Sequence, residues 1–267
     1  MQPIRVLVRG AHGRMGREVV RAVAGAADLR LVAAIDRVGV GEDAGRVAGI
    51  GPANVAIRPP EELEAVIRAE DPEVAIDFTK GPEALALFRT AVPLHVSPIV
   101  GTTGLSAEAL AEARRLCEEN GIGGLIAPNF AIGAVLMMKF AQEAARYLGD
   151  VEIIELHHER KMDAPSGTAA LTAKLIAESR SAERAERPEQ LDEAPGSRGS
   201  DQHGIPVHSV RLPGLVAHQE VIFGGVGQIL TIRHDSIDRT SFMPGVLLAA
   251  RRIRGHKGLI IGLENLL

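Results

Sequence analysis

The sequence predicts an α/β protein: a doubly wound, Rossmann-like parallel sheet followed by a second, α+β domain carrying an open mixed sheet. Three observations carry that expectation. Over the first 130 residues short apolar runs alternate with helical patterns. The glycine-spaced turn "GAHGRMG" (10–16) lies between the first run and its helix. Beyond residue 150 the alternation stops, and strands joined by short turns take over.

The elements follow in order. "IRVLVRG" (4–10) is an apolar strand ending on glycine, and "RMGREVVRAVAG" (14–25) has helical spacing at Met15, Val19, Val20 and Val23. "LRLVAAID" (29–36), "NVAI" (54–57), "EVAIDF" (73–78), "LHVSPIV" (94–100) and "GGLIA" (123–127) read as further strands. Helical patterns separate them, most clearly "PEELEAVIRAE" from Pro60 and "SAEALAEARRLCEEN" from Ser106. Strands apolar on both faces, alternating with helices, imply a parallel sheet covered on both sides.

After a helix over 132–148, "VEIIEL" (151–156) alternates in polarity and "GTAALTAKLIAES" (167–179) is helical. The polar, Pro- and Gly-containing stretch 180–204 is assigned no regular structure. "PVHSVRL", "AHQEVIF" and "QILTIRHDS", with short links, predict an antiparallel meander. Val207, Val210, Val221, Phe223, Ile229 and Ile232 give this sheet apolar surface for an interior or an oligomer interface. A last helix over 242–253 and "GLIIGLENLL" are expected to return to the first domain. The expected division is a dinucleotide-binding domain, 1–130 plus 239–267, and a substrate-binding and oligomerisation domain, 131–238.

Composition narrows the function. A net charge of −4 over 267 residues offers no basic field for nucleic acid or an anionic membrane. No apolar run approaches the roughly 20 residues of a membrane span, and the N-terminus lacks the pattern of a signal peptide. Cys117 is the only cysteine, which excludes an intrachain disulfide and agrees with a reducing cytoplasm.

The first crossover points to a dinucleotide. Gly10, Gly13 and Gly16 allow backbone N–H groups to approach a pyrophosphate at a helix N-terminus. Asp36 lies 20 residues beyond Gly16, where a carboxylate meets ribose hydroxyls. Arg37 beside it suits the 2′-phosphate of NADP. The spacing is G-x-x-G-x-x-G, so the turn gains its weight from its place between strand and helix. "DFT" (77–79), "VGTTG" (100–104) and "APNF" (127–130) end later strands on the same sheet edge.

The stretch "ELHHERKMDAPSGT" (155–168) carries the remaining chemistry. Ser166 suits a helix N-cap, which leaves Gly167 and Thr168 at an anion-attracting helix end. His157, His158 and Lys161 add proton-donating or cationic groups for a partner to hydride delivery. A solvated charged loop is the bland alternative. His157, His158, Glu159 and Asp163 are possible metal ligands, but adjacent histidines on a strand point to opposite faces, so no metal is expected.

"ELHHERKMDAPSGTA" resembles the signature loop of the dihydrodipicolinate (4-hydroxy-tetrahydrodipicolinate) reductases of bacterial lysine and diaminopimelate synthesis. "GAHGRMG", "DFT", "GTTG" and "APNFAIG" resemble that family's other segments, in the same order. The resemblance implies His157 and Lys161 as the catalytic proton-handling pair, and His158, Gly167 and Thr168 as contacts to a small dicarboxylate substrate. It further implies that Gly10, Ala11, His12, Gly13, Arg14, Met15, Asp36, Arg37, Gly101, Thr102, Thr103, Ala127, Pro128, Asn129 and Phe130 surround NADH or NADPH. A cytoplasmic homotetramer joined through the second-domain sheet completes the implied picture. His12, Asp36, Pro128 and Ala131 depart from the commoner residues of those segments. An amino-acid dehydrogenase or a non-catalytic dinucleotide sensor would not need His157 and Lys161 together.

Overall fold

The computed structural model describes residues 2–79, 81–102, 105–181 and 196–267. In chain order it forms β1 (Ile4–Arg9), α1 (Arg14–Gly25), β2 (Leu29–Ile35), α2 (Ala44–Ala48), β3 (Ile57–Arg58) and α3 (Leu63–Glu70). Then come β4 (Val74–Asp77), α4 (Gly81–Ala91), β5 (Ser97–Val100), α5 (Ala107–Asn120) and β6 (Gly123–Ile126). A second set follows: α6 (Ile132–Ala144), β7 (Asp150–His157), α7 (Gly167–Ser179), β8 (Ser200–Gln202), β9 (Ile205–Arg211), β10 (Ala217–Gly225) and β11 (Gln228–Ser236). The chain closes with α8 (Met243–Arg252) and β12 (Gly258–Ile261). Two compact units result, one running to Phe130 and taking in Phe242–Leu267, the other Ala131–Ser241.

The first unit is a seven-stranded sheet in the order β12-β6-β5-β4-β1-β2-β3, every pair parallel. β4, β5 and β6 are buried at every position, as strands covered on both faces must be. The strand order reverses between β1 and β4, which opens a crevice at their carboxyl ends. α1 buries Gly16, Val19, Val20 and Val23, an i, i+3, i+4, i+7 stripe. Gly16 is required by contact: a Cβ there would lie 1.9 Å from the Gly10 carbonyl oxygen. α8 is seated the same way, because a Cβ on Gly245 would come within 2.0 Å of the Phe130 carbonyl oxygen.

The second unit is a five-stranded mixed sheet in the order β11-β10-β7-β9-β8. β7 and β10 alternate in burial, with Val151, Ile153, Glu155, Gln219, Val221 and Phe223 on the covered face, where α6 and α7 pack. The strands do not form the expected meander. β9 pairs parallel to β7, and β7 separates it from β10, which pairs antiparallel on the other side. A short link fixes opposite direction but not adjacency. Here β7 offers two edges, and Ile153 is flanked by Val207 on one and Val221 on the other.

The stretch 180–204 also departs from expectation, since Ser200–Gln202 pairs antiparallel with β9 as β8. Its three polar residues carry no apolar signal, and the pairing comes from β9's free edge. Residues 182–195 of that stretch lie outside the described residues. The third and fifth strands start later than expected: β3 is only Ile57–Arg58, and a 3₁₀ turn at Val92–Leu94 delays β5. The anticipated apolar surface divides between environments. Val207, Val221 and Phe223 are buried beneath the helices, whereas Ile229 is 76% exposed.

Replacing Gly16 by Ala should force α1 off the β1 turn and destabilise the protein by about 1–3 kcal/mol, the usual cost of overpacking. Thermal unfolding of G16A reads this directly. A variant melting with wild type would remove the packing role assigned to Gly16.

Candidate active site

In the first unit the sheet topology brings the glycine turn, Asp36, Arg37 and the ends of β4, β5 and β6 to one edge. Gly10 ends β1 with φ +74°, a conformation that glycine tolerates without penalty. Gly10 and Ala11 both donate N–H bonds to the Ile35 carbonyl, at 2.8 and 3.2 Å, which ties the turn to β2. Gly13 is the N-cap of α1, and Arg14 and Met15 open the helix. The Asp36 carboxylate accepts the His12 N–H at 2.8 Å and the Val38 N–H at 3.0 Å. Its position against the turn is thereby fixed, with lone pairs remaining for further donors.

A cleft of about 280 Å³ opens here, with Gly10, Gly13, Asp36, Arg37, Thr79 and Glu83 in its wall. Arg37 does not stand alone: its Nη2 lies 2.6 Å from Glu83 Oε1. Gly101, at the end of β5, donates its N–H to the Asp77 carbonyl at 2.8 Å. A Cβ there would strike the Phe78 ring at 2.2 Å, so this glycine answers to packing. Thr102 follows it, and Thr103 lies outside the described residues. Ala127 is buried and donates its N–H to the Val100 carbonyl; Pro128 is exposed and Asn129 half-buried. Phe130 is buried, 5.5 Å from the Phe78 ring centre.

One residue of this edge, Arg9, escaped the sequence reading, which had its partner Asp77 only as the start of "DFT". Arg9 is buried at the end of β1 and pairs at 2.8 Å with Asp77 of β4, its register partner, which is wholly buried. Arg9 Nη1 also donates to the Glu83 carbonyl at 2.6 Å, so the pair anchors the start of α4. A charge at the end of each of two apolar strands, "VLVR" and "VAID", was the available signal.

In the second unit His157 ends β7, His158 follows it, and α7 begins at Gly167. Ser166 is the N-cap as expected, its Oγ accepting the Ala169 N–H at 3.1 Å. Gly167 and Thr168 are therefore the first helical residues, at the positive end of a 13-residue helix. A Cβ on Gly167 would meet nothing within 4 Å, so the protein's own packing does not demand glycine there. Lys161 Nζ lies 2.7 Å from both oxygens of Asp163, and this bond, ahead of other effects, holds the Asp163 carboxyl below its ordinary value. Lys161 and Asp163 are thus paired with each other.

The residue that organises this end of the unit is Glu155, which is fully buried. One carboxylate oxygen lies 2.5 Å from His157 Nδ1 and accepts Arg211 Nη1 at 2.9 Å. The other accepts Arg211 Nη2 at 2.7 Å and the Ser166 N–H at 3.2 Å. Burial by itself would raise the Glu155 carboxyl; the bonds from His157, Arg211 and Ser209 outweigh it and bring the group down to about 2. Arg211 also donates to the Asp163 carbonyl at 2.7 Å, tying the Lys161 loop to the same centre. Sequence reasoning passed over Glu155 because period-two alternation alone marks it as inward-facing. Arg211 comes from a different strand altogether.

A crevice at a strand-order reversal with a glycine turn that opens a helix, joined in sequence to a unit with a histidine and a helix end, defines a pyridine-nucleotide oxidoreductase with a Rossmann-type domain. The family model for the dihydrodipicolinate reductase N-terminus matches residues 4–130, and that for its C-terminus matches 133–267. The chain belongs to the dihydrodipicolinate reductase family. It is 53% identical to the 4-hydroxy-tetrahydrodipicolinate reductase of Moorella thermoacetica over 99% of this chain and 98% of that one. To the same-named protein of Halalkalibacterium halodurans it is 50% identical, over 99% of each. A solved dipicolinate-bound dihydrodipicolinate reductase from Paenisporosarcina sp. TG-14 is 44% identical, with a TM-score of 0.88 and full coverage of both chains. The amine dehydrogenase of Mycobacterium smegmatis shares the fold at 15% identity, TM-score 0.69, over 96% of this chain and 94% of that one.

Because the folded Glu155 carboxyl sits at about 2, against an ordinary 4.5, its contribution to stability is fully present above pH 4.5. That contribution is lost as pH falls through the range from 4.5 towards 2. Chemical denaturation of wild type and E155Q across this range should show a wild-type advantage at pH 7 that shrinks steadily on acidification. A gap independent of pH would remove the ionised carboxylate as its source.

Proposed function

We propose that the protein is a 4-hydroxy-tetrahydrodipicolinate reductase of lysine and diaminopimelate biosynthesis, reducing the cyclic intermediate to tetrahydrodipicolinate with NADH or NADPH. One observation carries the reading: in a chain of this family, His157, Lys161 and the α7 N-terminus at Gly167 and Thr168 are held to one another through Glu155, Arg211 and Asp163.

The reduced nicotinamide supplies the hydride. Gly10 to Met15 receive its pyrophosphate at the α1 N-terminus, and Asp36, already fixed by two N–H bonds, accepts from the ribose. Gly101, Thr102 and Ala127 to Phe130 line the nicotinamide side. The substrate carboxylate binds at Gly167 and Thr168, where the helix end favours negative charge and Gly167 leaves room for close approach. His158 contacts the substrate. His157 and Lys161 supply the proton that accompanies reduction of the ring.

Arg37 serves the 2′-phosphate of NADPH, for which the phosphate has to draw the guanidinium away from Glu83. NADH makes no such demand, so both cofactors are accepted. The protein works in the cytoplasm as a homotetramer. The support for assembly is the uncovered face of the five-stranded sheet, where Ile154, Leu156 and Ile222 are half-buried and Ile229 is exposed. Light scattering should return about four times 28.3 kDa, and a monomer mass would remove the tetramer.

The activity is tested by following NADH and NADPH oxidation while a coupled synthase generates the substrate from aspartate semialdehyde and pyruvate. Wild type should turn over with both cofactors, and H157Q should lose about 10²–10⁴-fold in turnover. In the same assay R37A should raise the Michaelis constant for NADPH far more than for NADH. Wild type that binds cofactor and oxidises none would keep the fold and remove the function.

A further inference from the structure

We propose that Glu155 is a positioning residue for this reaction: by holding Nδ1–H of His157, it fixes the ring's tautomer and leaves Nε2 as the nitrogen that handles the substrate's proton. The inference deepens the reading above and rests on it.

The geometry carries the assignment. A neutral imidazole has one protonated and one bare nitrogen, and the hydrogen bond made by one decides the state of the other. The carboxylate 2.5 Å from Nδ1 is fully buried, so no competing water reaches it from bulk solvent. An ionised carboxylate only accepts, and Nδ1 must therefore donate. Arg211 keeps Glu155 in that role. Its bidentate grip, at 2.7 and 2.9 Å, occupies both oxygens and balances the buried charge, which holds the carboxylate ionised beside a proton-bearing ring.

The same carboxylate also accepts the Ser166 N–H, and Ser166 caps the helix that begins with Gly167 and Thr168. Glu155 thus sets His157 and the helix end in one frame. Nε2, bare in the neutral ring, takes up a proton to give the imidazolium and delivers it to the substrate. A ring misplaced by an ångström, or held by the wrong nitrogen so that Nε2 cannot exchange that proton, loses turnover without losing substrate. Glu155 touches neither the reacting atoms nor the cofactor, so its effect passes through His157.

Two measurements test this. In protein labelled with ¹⁵N-histidine, the His157 ring signals are identified as those lost in H157Q. In wild type at a pH where the ring is neutral they should show a protonated Nδ1 and a bare Nε2. The opposite tautomer would overturn the proposal, whatever the variants do. In the coupled assay E155Q, checked to be folded at the assay temperature, should lose about 10–100-fold in kcat, the usual worth of a residue that orients a ligand or base. Its Michaelis constants should stay near wild type, and its His157 signals should show mixed tautomers. Folded E155Q with wild-type kcat would make Glu155 a structural residue only. Inactive wild type with the expected tautomer would instead remove the proposed function and leave the His157–Glu155 bond standing.

Discussion

A carboxylate taken wholly out of water has to be ionically and sterically complete, and each unit of this protein is arranged around one such group. In the first, Asp77 is met by Arg9 and the Thr79 N–H. In the second, Glu155 is met by Arg211, His157 and the Ser166 N–H. Both arginines lie at the carboxyl end of a strand that runs parallel to the one bearing the acid. Parallel neighbours end on the same edge, so the demand for a partner draws several chain segments to that edge. The loops that bear the candidate functional groups are fixed there as a consequence. Removing one member of such a pair strands the other, which is why these contacts are all-or-none constraints.

Some glycines answer to close packing and others, Gly167 among them, do not. Gly16, Gly101 and Gly245 each sit where a Cβ would collide with backbone or a ring, so they record close packing. Gly167 has open space before it and an ordinary helical conformation. Glycine costs stability in a helix, and the open space at Gly167 is compatible with the proposed approach of a substrate carboxylate.

Electrostatics also shape cofactor choice. Arg37 is exposed but engaged with Glu83, and Glu83 in turn stands 3.6 Å from Arg9. The cation proposed for a 2′-phosphate is therefore already shared with a carboxylate. A surface pair of this kind is weak, so under the proposed reading it discriminates little between the two cofactors.

The sequence by itself determined the alternation of strand and helix, the glycine turn with Asp36 behind it, the Ser166 cap and the loop from His157 to Thr168. These are local signals: periodicity, capping chemistry and glycine spacing are written within a few residues of the structure they specify. Only the tertiary structure decided that β7 lies between β9 and β10, that the polar Ser200–Gln202 joins the sheet, and that Arg9, Glu83, Glu155 and Arg211 complete the two sites. Most of those depend on partners far apart along the chain, such as Glu155 with Arg211, 56 residues, and Arg9 with Glu83, 74 residues. Which strand edge is free, and which buried charge meets which, is settled by packing in three dimensions, and no local pattern along the chain encodes it.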